Sequence, residues 1–273
     1  MKIIDFDAKF TEILTDWIEK NRSRFRRPED MEDEVPDVYL KFLNTPEDWL
    51  DGKTPGEYFD QFDDSQALCD LVCDYIRDGV PVQDPLLDRL EELADEPTLL
   101  KLALNKQAPC EARMTAIGLL REMESTQPKM LYIDWQMNRP DRDDLCDNAL
   151  DSLKSMGACV VQPLLEALPK ANAAGQEAML DVLADYPGNE QVFQLALRLF
   201  RENRARRALF ASYLGKLGDD RALPDLIEAA GDEKTGYIDF IELRNAIEML
   251  GGVAPDREFD NDPDYDALHG MDQ

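Results

Sequence analysis

Histidine is almost missing from this sequence: His269 is the single one among 273 residues. Without imidazoles in the body of the chain, neither a Ser-His-Asp triad nor a histidine-rich metal cluster can be assembled. Long apolar runs are lacking as well. No stretch approaches the ~20 residues of a membrane-spanning helix, and the opening MKIIDFDAKF is broken by Asp5 and Asp7 where a signal peptide needs uninterrupted apolar sequence. These absences point to a cytoplasmic protein with no membrane partner. Positive charge is scarce, with 30 Lys and Arg against 58 Asp and Glu and a formal charge of -28. Such a field repels phosphates and anionic lipid, which excludes nucleic acid as a general partner. Five cysteines, at 69, 73, 110, 146 and 159, are odd in number and scattered, so they form no disulfide framework. Cys69 and Cys73 stand one helical turn apart, but they belong to the stripe Cys69, Val72, Cys73, Ile76 and read as small core hydrophobes. Neither a metal nor another cofactor is expected.

What the chain does have is a rhythm. Apolar residues at the i, i+3, i+4, i+7 spacing of an amphipathic helix recur in five places, at Ala116 to Met123, Cys146 to Leu153, Met179 to Tyr186, Phe210 to Leu217 and Leu243 to Leu250. The interval is close to one repeat of about 32 residues, the mark of a repeat protein. Between these lies a second set of apolar stripes, around Leu99, Leu164, Phe193 and Leu226, so each period predicts a helical hairpin. PLLEALPKA at 163–171 and DLIEAAGDE at 225–233 repeat one pattern two periods apart. Gly157, Pro187-Gly188, Gly218 and Gly251-Gly252 follow the second helices, where left-handed caps or breakers belong.

The run YLGKLGDDRALPDLIEAAGDE, 213–233, resembles the short bacterial HEAT-like repeat also found in phycobilisome lyases, through Leu217, Gly218, Asp219, Arg221, Ala222, Pro224, Leu226 and Ile227. The resemblance extends to Gly251; over 96–200 the spacing persists while the Gly-Asp-Arg signature is lost. It implies an all-α fold, an α-solenoid of about five to six helical hairpins whose second helices line an inner, concave ridge that binds other macromolecules. The organisation expected is a helical extension over 1–62, repeats over 63–252 and an acidic, solvated tail over 253–273. The extension holds ten of the chain's 22 aromatic residues, Trp17 and Trp49 among them, and so reads as a cap on the first hairpin or a partner-binding segment.

Candidate sites are few. DEKTGYIDFIEL, 232–243, looks like the second half of an EF-hand. Placing Gly236 at the sharp-turn position, however, leaves Gly231 where the first calcium ligand belongs. Two arginine clusters stand against the acidic background: Arg22, Arg24, Arg26 and Arg27, and then Arg198, Arg201, Arg204, Arg206 and Arg207. They serve either as charge compensation or, through guanidinium forks, as contacts for an anion or acidic peptide. Arg201, Arg204, Arg206 and Arg207 are the candidate partner-binding residues. The function expected is a non-enzymatic scaffold or adaptor for a protein partner, with basic partners suited to the acidic surface. The alternatives are a lyase-type tetrapyrrole or small-ligand chaperone, and a calcium-responsive regulator.

Overall fold

A computed structural model describes the chain except for Arg26, Pro28, Asp141, Asn261 and residues 270–273. The fold is all-α. In chain order the helices are α1 Phe6–Asn21, α2 Glu29–Glu32, α3 Val35–Leu43, α4 Ser65–Arg77, α5 Asp84–Leu93, α6 Glu96–Leu104, α7 Cys110–Glu122 and α8 Lys129–Met137. They continue with α9 Asp144–Ser155, α10 Val161–Ala167, α11 Ala173–Leu183, α12 Glu190–Glu202, α13 Arg207–Leu217, α14 Leu223–Gly231, α15 Tyr237–Met249 and α16 Pro263–His269. Outside them, Glu47 and Lys53 form an isolated antiparallel bridge. Among the described residues no helix is long and apolar enough to cross a membrane. Two compact units are present, Met1–Pro128 with Asp147–Ser155, and Lys129–Cys146 with Met156–Gln273.

In the first unit the aromatic-rich segment folds around Phe6. Its ring meets Trp49, Tyr58 and Phe59 at centroid distances of 5.7, 6.1 and 5.9 Å, within the range where edge-to-face pairs are favourable. Tyr75 on α4 fixes the entry of the chain: its hydroxyl accepts from the Ile4 N–H at 3.0 Å and donates to the Ile4 carbonyl at 2.8 Å. Cys69, Val72 and Cys73 are buried on α4. Burial, and then the neighbouring Cys73, pushes the Cys69 thiol up to about 12. Along α1, by contrast, Ile13, Leu14, Trp17 and Ile18 are only half-buried.

The second unit is built from stacked helices. Phe210, Tyr213, Leu214 and Leu217 on α13 are buried, as are Leu243, Ala246 and Ile247 on α15 and Met179, Val182 and Leu183 on α11. The two second helices α13 and α15 approach closely because Gly215 faces Ala246: a Cβ there would lie 3.1 Å from the Ala246 α-carbon. Gly218 ends α13 at φ 69, in the left-handed region a side chain disfavours. α8 occupies the gap between the stripes at 116–123 and 146–153, where the hairpin period calls for a helix but the sequence analysis marked no stripe, because a polar residue, Gln136, takes one of its fully buried positions. Gln136 donates from Nε2 to the Cys146 carbonyl at 2.8 Å and accepts from Arg139 at 2.9 Å, so its burial leaves no unmet polar group there.

Residues 253–260 and 262–269 depart from expectation. Read as a solvated tail from their charge, they instead fold onto the last hairpin. Arg257 Nη1 donates to the carbonyls of Ala230, Asp232 and Thr235 at 3.3, 3.0 and 2.9 Å, satisfying acceptors at and beyond the end of α14. Phe259 is buried, edge-on to Tyr237 at 5.1 Å and tilted against Phe240 at 5.0 Å between ring centroids. Asp262 accepts from the Tyr237 N–H at 3.0 Å, at the start of α15. The excess of acidic residues concealed three anchors.

Candidate partner-binding site

The sequence-predicted arginines gather where α12 turns into α13. α12 is strongly amphipathic, with Val192, Phe193, Ala196, Leu197 and Phe200 buried, which leaves Arg198 and Arg201 on its exposed face. Asn203 ends the helix, a short 3-10 turn carries Arg204 to Arg206, and α13 starts at Arg207. The four candidates have different surroundings. Arg201 grips Asp225 of α14 in a two-pronged pair, Nε to Oδ1 at 2.7 Å and Nη2 to Oδ2 at 2.8 Å. That bond holds the Asp225 carboxyl below its ordinary value. Arg206 pairs with Glu177 of α11 and lies over the Phe210 ring at 5.8 Å. Arg204 and Arg207 form no ion pair with any carboxylate among the described residues. Arg207 lies over the Phe200 ring at 5.7 Å, and its buried Nε has no hydrogen-bond partner.

Together with Phe200 and Arg201, these two line an open cleft of about 420 Å³ that Asp225, Glu228 and Asp232 also line. Asp232 accepts a hydrogen bond from the Lys234 N–H at 3.0 Å. That bond, and then the charges of Arg204, Lys234 and Arg207, keep its carboxyl below the usual range.

Adjacent second helices are joined by polar rungs. Arg206 to Glu177 is one, and Lys216 to Asp185 at 2.8 Å is another. Between them Tyr213 faces Asp181, and burial followed by that carboxylate raises the phenol above its ordinary value. On α15, Ile238 and Met249 remain exposed at 48% and 60%. At the next turn Arg221 binds Glu190 and Asp219, each at 2.6 Å, and covers the Phe193 ring at 4.4 Å.

Among the other candidates, Arg24 donates to Asn21 at 2.7 Å and Arg27 pairs with Asp30 at 2.5 Å, while Arg26 lies outside the described residues. The His269 side chain lies outside them too. Gly236 has φ -69 and ψ 168, the extended N-cap of α15. Among the described residues no three His, Cys, Asp or Glu side chains are grouped to hold a metal ion.

The ion-pair partners Glu177, Glu190, Asp219 and Asp225 escaped sequence reading. A signal for two of them was present: Glu177 precedes Arg206 by 29 residues and Glu190 precedes Arg221 by 31, about one repeat each.

Against known families, residues 206–232 match the PBS lyase HEAT-like repeat. The match runs from the start of α13 to the end of α14 and so spans the junction between two consecutive hairpins. No curated protein matches the chain. The chain is therefore an all-α protein that carries a HEAT-like repeat at 206–232.

Proposed function

We propose that this protein is a non-enzymatic scaffold or adaptor that binds a protein partner along the face formed by its second helices. The observation that carries the reading is the HEAT-like repeat at 206–232 together with the surface around it. A repeat hairpin buries its apolar stripes only by stacking on its neighbours, and this leaves an outward face with no part in the core. On α11, α13 and α15 that face combines charged rungs with the exposed side chains of Ile238 and Met249. Apolar anchors within a polar rim have the composition of a protein-binding patch. The acidic remainder of the surface suits basic regions on the partner and speeds their encounter.

Replacing Ile238 and Met249 with glutamate tests this directly, because both side chains are exposed. The expected result is loss of partner capture with an unchanged melting temperature. Capture at the wild-type level would reject the second-helix face. A bound tetrapyrrole copurifying with the chain would favour the small-ligand chaperone instead.

A further inference from the structure

The cleft beside α12 and α13 gives the proposed scaffold a more specific chemistry. The chain has nearly two carboxylates for each basic residue, so a guanidinium has many candidate partners. Arg201, Arg206 and Arg221 form ion pairs. Among the described residues Arg204 and Arg207 do not, although both line the same cleft. The Arg207 Nε is buried and unpartnered, an arrangement that costs free energy until an acceptor arrives.

The charges lining the cleft balance in number, three arginines against three carboxylates, but not in commitment. α13 starts at Arg207 without a side-chain cap and with no acidic residue in its first turn, so its positive end is not neutralised locally. Of the three carboxylates, Asp225 is committed to Arg201 and Asp232 to a backbone N–H, while Glu228 is exposed to solvent. Phe200 supplies a flat apolar floor beneath Arg207.

We infer that Arg204 and Arg207 form a docking pocket for a carboxylate side chain on an acidic peptide segment of the partner. The long-range field of the protein opposes such a segment, but at physiological salt charges beyond ~8 Å are largely screened. The short-range forks then decide the outcome. The pocket therefore selects by contact and not by attraction at a distance, and it complements the basic regions that the acidic surface draws in.

This inference rests on the proposed scaffold role, and its test uses a defined probe so that the two can fail separately. Arginine Nε–H NMR signals of the full chain, assigned with single Arg→Lys variants, are followed while acetyl-tetraglutamate-amide is added at physiological salt. Saturable shifts concentrated on Arg204 and Arg207 are expected, with affinity weakened about tenfold or more by Arg204→Ala. Arg204 is exposed and outside the core, so this variant should keep its helical circular dichroism. Absence of saturable shifts, or shifts shared equally by Arg198, Arg201 and Arg221, would overturn the inference. If the peptide fails to bind while a partner is still captured through α15, only the pocket is lost; peptide binding without any captured partner would remove the scaffold and keep the pocket.

Discussion

Gly175 is restricted to hydrogen at its α-carbon by the carbonyl of Gln136, which would lie 2.2 Å from an added Cβ. The contact arises because Asn172 ties α11 to the end of α8. Its N–H donates to the Met137 carbonyl at 2.8 Å, its Nδ2 donates to the Arg139 carbonyl at 2.9 Å, and its Oδ1 accepts from the Gly175 N–H at 2.8 Å. Gly175→Ala forces backbone apart at this junction, and an overpacking cost of about 2 to 3 kcal/mol is expected in urea unfolding. Nothing in the local sequence announces this glycine, since the obstacle comes from a helix some forty residues earlier. The cysteines behave differently because their burial is written in the helical stripe. Iodoacetamide at neutral pH is expected to modify the exposed Cys110 and Cys159 in the native chain while sparing Cys69, Cys73 and Cys146, as counted by intact mass. Modification of Cys69 before unfolding would contradict its place in the α4 core.

At the scale of elements, helices with unbroken apolar stripes were legible and those with polar cores were not. The stripes at Met179 and Phe210 define α11 and α13 because their helical spacing has no competing strand alternation. α8 was obscured by Gln136, and the docked segment after α15 by its charge. Both hide for one reason: their stability depends on hydrogen bonds to distant backbone, which no local periodicity records. The Arg257 anchor is therefore a sharp test of the second case. Arg257→Ala removes the donors to four carbonyls and the contact over Phe259 at 4.6 Å. A loss of about 1.5 to 3 kcal/mol is expected from charged hydrogen bonds of this kind, with faster protease cleavage between 253 and 262. The arginine cluster itself was visible in sequence, yet its division into engaged and unengaged members was not. That division depends on Asp225 and Glu177 reaching across from neighbouring helices.

For the whole molecule, the acidic composition predicts opposite responses to pH in different places. Arginine bonds hold Asp219, Asp225 and Glu190 below their ordinary values. Their contribution is present above the unfolded carboxylate range and is lost as pH falls through the lower folded values. Asp88 is raised, by burial first and then by Asp84 and Glu92. Between its unfolded and folded values the native state binds more protons than the unfolded chain, so stability falls as pH rises through that window. Asp88→Asn is accordingly expected to raise the melting temperature slightly at pH 7 and to leave it unchanged near pH ~3, where the carboxyl is already protonated. A rise of equal size at both pH values would show that charge is not the cause.

Affinity capture of the intact protein followed by zero-length cross-linking and mass spectrometry tests the scaffold reading most directly. One enriched protein linked to Lys216 on α13 or Glu242 on α15 is expected, with loss of those links together with that protein when Ile238 and Met249 become glutamate. Enrichment that survives this double substitution, or links confined to residues 1–62, would contradict binding along the second helices.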